Sequence, residues 1–290
     1  MYYKTRSYRI FNVLNIILLS LVALSCILPL IHILAISFSS GLAVEANRVT
    51  FWPVDFNLDS YTRTFGDANF LDAFFTSVVR VILGVVIGIT VTVLTAYPLS
   101  KMEALRGGRV IAWFFVFTML FHGGLIPSYI LIQKLHLMNT IWALILPGAL
   151  GVYNMILMLN FFRAIPRELE EASLIDGAGH LTTLLRVYLP ISMPSIATIV
   201  LFVAVGHWNA WFDGLIYMQK ENWPMSTLLQ TMIKVPDLSQ RTVADTEIVN
   251  MTERTLKSAK IFIGTLPILL VYPFLQRYFV KGIVLGAVKG

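Results

Sequence analysis

The feature that most constrains this chain is the spacing of its charges. Asp, Glu, Lys and Arg make up 13% of the 290 residues, about half the share of an ordinary soluble domain. They leave five long stretches, 10–44, 73–100, 110–133, 135–162 and 187–212, interrupted only by Arg80 in the second. A charged side chain costs several kcal/mol near a bilayer centre, and roughly 20 residues of helix cross the hydrocarbon, so each stretch is a predicted span. A sixth, 261–276, is shorter and reaches across if Lys260 and Arg277 extend their charged heads to the interfaces. The expected fold is all-α and polytopic, with six transmembrane helices in a single transmembrane domain over 1–290.

Six spans put both termini on one side, and Lys and Arg select that side. Segments 1–9, 100–109, 163–186 and 277–290 carry 12 of them in 57 positions, against 9 in 85 for segments 39–72, 132–138 and 217–260. The denser side, with both termini, is expected to be cytoplasmic. The formal charge of +6 invites a nucleic-acid reading, but the positive residues punctuate apolar runs instead of clustering on polar surface, so no nucleic-acid partner is expected. Cys26 is the only cysteine, which excludes an intrachain disulfide and a multi-cysteine zinc site. Lys4, Arg6 and Arg9 precede an apolar run, as in a signal peptide. That run continues past Cys26 and Pro29 to Phe38, beyond a removable core of about 7 to 15 residues, and is read as a retained first helix.

The segment 163–190 breaks the charge bias. Glu168, Glu170, Glu171 and Asp176 place negative charge on the positive side. Pro166 is expected to open a short helix, where its missing N–H costs nothing, and the glutamates complement the dipole of the first turn. Gly177 and Gly179 are expected to end it. Leu169, Ala172 and Ile175 share roughly one face. So short a helix is marginal alone in water and is expected to dock onto something; a connector lying on the membrane surface is the plainer alternative.

Three groups of residues in that segment, Glu171-Ala172-Ser173, Asp176-Gly177-Ala178 and Leu189-Pro190, resemble the EAA motif of bacterial ABC importer permeases. Ser173 departs from the motif's usual alanine, small for small. The resemblance extends over nearly the whole chain. Thr50-Phe51-Trp52-Pro53 with Phe56 and Tyr61, Ala96-Tyr97-Pro98-Leu99-Ser100, and the ending from Tyr272-Pro273 to Gly290 resemble carbohydrate-importer permeases of the maltose type. Phe121-His122-Gly123-Gly124-Leu125-Ile126-Pro127 and Val205-Gly206-His207-Trp208-Asn209-Ala210-Trp211-Phe212 resemble their polysaccharide-fragment branch, alginate importers among them.

This resemblance implies a type I ABC importer permease of the bacterial inner membrane, a transport subunit and not an enzyme. It implies an ATPase-coupling role for Glu171, Ala172, Ser173, Asp176, Gly177, Ala178, Leu189 and Pro190. The implied partners are two ABC ATPases on the cytoplasmic side, an extracytoplasmic solute-binding protein, membrane lipid, and a second permease, related but different or else identical. The chain contains no Gly-x-x-x-x-Gly-Lys-Ser/Thr loop, so ATP and Mg²⁺ belong to the partner ATPases and this chain needs no cofactor or metal of its own. The implied cargo is an oligosaccharide, with an acidic polymer such as alginate or a neutral sugar both open.

Two breaks, Gly123-Gly124 with Pro127 and Pro147-Gly148, point to the transport path, because irregular backbone at membrane depth is tolerated where protein or a water-filled cavity covers it. Polar residues give the second pointer: Arg80, His122, Asn154, Asn160, His207, Asn209 and Asp213 lie in or near spans. Arg80 has the alternative of pairing with an acid, and the histidines of ordinary packing. Trp208 and Trp211 beside Asn209 suit a sugar's apolar ring face and hydroxyl edge, or else anchor at an interface. The segment 217–260 is too long for a bare connection; Pro224 and Ser226 begin a predicted helix there, and Thr246-Glu247 a second. The rival classes are an intramembrane enzyme acting on sugar or lipid, against which no clustered catalytic motif is found, and a passive channel, which needs no nucleotide.

Overall fold

The computed structural model describes residues 6–101, 107–234 and 251–287; these are helical, with no strand among them. In chain order the helices are α1 (Arg6–Ser37), α2 (Gly41–Glu45), α3 (Asp59–Gly66), α4 (Ala68–Ser100), α5 (Gly108–Leu120), α6 (Leu125–Lys134), α7 (Ile141–Ile145), α8 (Val152–Ala164), α9 (Arg167–Ile175), α10 (His180–Thr183), α11 (Leu189–Ile191), α12 (Met193–Asn209), α13 (Phe212–Tyr217), α14 (Met225–Lys234) and α15 (Glu253–Ala287). The chain divides into two compact units, one within 1–70 and 231–266 and the other within 71–230 and 267–290.

In the first unit, α1 is apolar on every face of its middle, and its apolar side chains from Ile10 to Leu28 are exposed, the pattern of a helix solvated by lipid. Its C-terminal end packs differently. Ala35 and Ile36 join Ala43, Val44 and Val49 in a small core, and Phe38 stacks between Phe56 and Tyr61 at 5.2 and 4.7 Å. Lys260 corrects the expectation that it extends to an interface. It is 4% exposed, with Nζ 2.6 Å from Asp67 Oδ2 and 5.6 Å from the centre of the Phe70 ring. The carboxylate and the ring face supply internally what the interface would otherwise provide. The side chain of Arg277 lies outside the described residues.

In the second unit, α4 carries the core. Val93, Ala96, Tyr97 and Leu99 pack with Met155, Met158, Leu159 and Phe162 of α8, with Leu184 and Tyr188, and with Ile199 of α12.

Helices α1 and α4 are each long and apolar enough to cross a membrane. Among the described residues three further crossings qualify only as bent pairs: α5 with α6 at 111°, Ile141–Gly148 with α8 at 49°, and His180–Ile191 with α12 at 83°. The breaks expected at Gly123-Gly124 and Pro147-Gly148 are therefore present. At the first, Phe121 turns extended and Gly124 takes a φ of +92°, where a Cβ is penalised. The second coincides with a 3₁₀ turn, Leu146–Gly148. The third bend falls at Ser192, between Pro190 and Pro194, each lacking an N–H to continue a helix. The sixth expected stretch, 261–276, lies inside α15. In the segment 217–260, α14 forms where Pro224 and Ser226 led to expect it; Thr246-Glu247 lies outside the described residues.

Candidate functional site

Helix α9 stands out because none of its residues is buried. Pro166 sits one position earlier than expected, as N-cap, its carbonyl accepting from Leu169 N at 3.3 Å. Glu168 and Glu170 lie in the first turn. The other end closes as a Schellman cap: Gly177 adopts φ +79°, its N–H donates to Leu174 O, and the N–H of Ala178 donates to Ser173 O, both at 3.0 Å. Asp176 contributes its main-chain N–H, which donates to Ala172 O at 3.0 Å. Gly179 opens α10 instead of ending α9.

The departure at Ser173 has a local consequence. Its hydroxyl lies 2.9 Å from that of Thr183, a fully buried residue of α10, and ties the two short helices together. The apolar side of α9 is left open: Ile175 is 86% exposed, and Leu169 and Leu174 are exposed as well. An exposed apolar strip on a charged helix is the mark of a docking surface.

A residue that the motif does not include holds α9 to the bundle. The Glu170 carboxylate pairs with the Lys101 ammonium just beyond α4 and accepts a 2.7 Å hydrogen bond from Tyr188 Oη. Lys101 also donates to Tyr97 Oη at 2.8 Å and lies 4.2 Å over the Tyr97 ring. Tyr97, Phe162 and Tyr188 pack edge to face beneath them. Burial works to raise the Glu170 carboxyl, but the bonds from Lys101 and Tyr188, with the Lys101 charge, outweigh it and hold the group below its ordinary value. Beside this cluster opens a cavity of about 730 Å³, lined among others by Arg109, Arg163, Arg167, Glu170 and Glu171. Leu189 and Pro190 form the first positions of α11, directly after the π-helical turn Leu184–Tyr188.

The second constellation lies where α12 ends and α13 begins. The Arg80 side chain is 2% exposed and pairs with Asp213. Its Nη1 also donates to Ala210 O at 3.0 Å. Ser226 Oγ donates to the same carbonyl at 2.6 Å, so the Ala210 carbonyl at the break is satisfied from α4 and α14, and Thr227 Oγ1 adds a 2.8 Å bond to Trp211 O, which also accepts from Leu215 N inside α13. The His207 imidazole packs so closely on α4 that a Cβ at Gly84 would collide with it. Trp208 meets Phe74 edge to face at 6.0 Å, Trp211 meets Phe212 at 5.5 Å, and Asn209, the last residue of α12, is exposed.

The structure thus brings Arg80, His207 and Asp213 together beside Trp208, Asn209 and Trp211. His122 lies exposed in the corner between α5 and α6, and Asn154 sits on α8 beside Gly151. Arg80, expected on the substrate path, has its charge compensated by Asp213 and both terminal nitrogens hydrogen-bonded, which corresponds to the pairing alternative.

The family model for the binding-protein-dependent transport system inner membrane component matches residues 102–285. The chain belongs to this family. Among its relatives, Protein LplC of Bacillus subtilis is 38% identical over 99% of this chain and 98% of LplC. The polygalacturonan/rhamnogalacturonan transport system permease protein YtcP of the same organism is 38% identical over 97% and 99%. A crystal structure of a bacterial ABC transporter involved in the import of the acidic polysaccharide alginate contains a chain that superposes with a TM-score of 0.86, at 33% identity, covering 96% of this chain and 100% of that one. The permease is therefore an inner-membrane component of a binding-protein-dependent, sugar-importing ABC transporter with the type I fold, and not itself an enzyme. Nothing in these likenesses favours an intramembrane enzyme or a passive channel.

Sequence reasoning missed Glu170, Lys101, Tyr97 and Tyr188 as a unit. Lys101 follows the Ala96–Ser100 segment that had been singled out, and Glu170 precedes the EAA triplet by one residue. Their contacts span 18 and 69 positions, a separation over which no periodicity carries a signal.

Proposed function

We propose that this permease forms half of a pore that carries acidic oligosaccharides inward by alternating access. Two ABC ATPases drive the pore, one of them docking on α9 of this chain at the cytoplasmic side, where both termini also lie. ATP and Mg²⁺ bind to those ATPases, and a second, related permease completes the pore. The observation that carries this reading is the state of α9: closed by a Schellman cap at its C-terminal end and fixed to α10, yet with its apolar strip open. A rigid helix can pass on a rigid-body push, whereas a floppy loop would absorb it.

In this reading Glu171 offers a charged contact to the ATPase. Ala172 and Ser173 keep the helix slim, and Gly177 with Ala178 forms the cap that fixes the exit. Asp176 ends the helix, and Leu189 with Pro190 begins the rise into the bent α11–α12 pair. The names of YtcP and of the alginate importer support a polyanionic sugar as cargo. On the path we place Asn209 with Trp208 and Trp211, which combine an amide and indole faces, and His207, His122 and Asn154 as further polar contacts. An extracytoplasmic solute-binding protein delivers the cargo.

The test is uptake by the complete transporter reconstituted in liposomes with its binding protein. Labelled oligogalacturonate or oligoalginate is expected to accumulate only with ATP. Uptake without nucleotide, or a purified complex that contains no ATPase, contradicts the proposal.

A further inference from the structure

We propose that Glu170 is the joint through which movement of α9 reaches the bundle, with Lys101 and Tyr188 as its two arms; this rests on reading α9 as the ATPase-docking helix. Helix α9 buries no residue, so packing alone holds it weakly, and its firm attachments are polar. One, Ser173 to Thr183, leads only to α10. Glu170 leads further. One carboxylate oxygen takes the ammonium of Lys101, one residue past the end of α4. The other takes the phenol of Tyr188, at the last residue of the π turn before α11 and α12. A single side chain therefore grips two spans at once.

The grip is stiff for reasons visible in its surroundings. Both carboxylate oxygens are engaged, and the Lys101 and Glu170 side chains are mostly buried, at 20% and 17% exposure, which strengthens the attraction relative to open water. Lys101 is held from a second direction by Tyr97, as hydrogen bond and as ring face. Tyr97 and Tyr188 touch each other and Phe162 within the closed aromatic core of the unit. A displacement of α9 therefore pulls on α4 and on the entry to α12 together. The same α4 carries Arg80, which pins the far end of α12 at Ala210, so the two ends of the α4–α12 pair are tied by charged groups. Coupling through such a chain of contacts needs evidence beyond proximity, and charge exchange supplies it.

The experiment uses the full transporter in liposomes, with Cys26→Ser and Asn209→Cys. It compares the rate of thiol labelling at position 209 with and without ATP, a readout independent of the cargo. Retention of the ATPase on the purified permease is measured in parallel. Glu170→Gln and Lys101→Met are expected to keep the ATPase bound while flattening the nucleotide-dependent change in labelling by about tenfold, the scale of a coupled charge pair. Tyr188→Phe, which keeps the ring and removes one bond, is expected to give a smaller loss of about threefold. The exchange Glu170→Lys with Lys101→Glu is expected to restore much of the change.

Single variants that respond to ATP like the parent overturn the proposal. So does release of the ATPase by Glu170→Gln, which would make Glu170 part of the docking surface. The underlying reading fails separately: Ile175→Glu then leaves the ATPase bound, whereas docking on α9 requires it to be lost.

Discussion

Gly177 offers the sharpest test of the capped helix. It sits at φ +79°, and a Cβ built on it would meet nothing within 4 Å, so a side chain there is penalised by backbone conformation alone. For alanine that penalty is about 1–2 kcal/mol, which lowers the fraction of correctly capped loop by a factor of roughly 5–30. Asparagine tolerates the left-handed region better and should lose less. Proline is worse than either: it fixes φ near −65° and removes the N–H that reaches Leu174 O. The Ala178 bond to Ser173 then fails as well, and each bond is worth about 0.5–1.5 kcal/mol. Because α9 is only 9 residues long and marginal by itself, losses of this size decide whether it is formed. Vesicle uptake at matched permease levels should rank Gly177, Gly177→Asn, Gly177→Ala, Gly177→Pro from highest to lowest, with proline inactive and membrane insertion normal throughout. Proline at parental uptake, or alanine below proline, would refute the reasoning.

Other perturbations follow from the same geometry. Glu171→Lys should abolish uptake by reversing charge on the docking helix while leaving the permease normally inserted, as membrane fractionation would show. Asp213→Asn strands the Arg80 guanidinium and should cost about 3–5 kcal/mol, seen as a lower unfolding temperature in detergent; Arg80→Met with Asp213→Leu should recover most of it. Because the Glu170 carboxyl is held below its ordinary value, its contribution is complete above that value and is lost as pH falls through the lowered one. Protection of 167–178 against hydrogen exchange, taken relative to the intrinsic rate at each pH, should therefore fall in acid, and Glu170→Gln should remove that acid step. Asn209→Ala and Trp211→Ala should each reduce uptake by about tenfold if they touch the sugar, whereas unchanged uptake at equal expression would assign them to anchoring.

Much of this architecture is legible in the sequence because lipid imposes a simple rule on charges. The apolar stretches, the breaks at Gly123-Gly124 and Pro147-Gly148, and the short acidic helix ended by Gly177 follow from local composition and backbone chemistry. The bend at Ser192 was not expected, because it falls inside the stretch 187–212 that the charge pattern marks as one span. Long-range pairing left no local trace at all. Lys260 was expected at an interface because nothing nearby in sequence shows Asp67, 193 positions away. Arg80 likewise suited a sugar path or an ion pair until Asp213, 133 positions on, was placed beside it. The EAA-like residues identified α9, but only the folded chain reveals that the neighbouring Glu170 fastens it.

Cross-linking between α9 and the ATPase is the most direct measurement of the central claim. With Cys26→Ser and Ile175→Cys, a short bifunctional reagent should join position 175 to the ATPase, and the linked complex should lose ATP-driven uptake that returns on cleavage of the link. Absence of the adduct in an otherwise active, assembled transporter would contradict it.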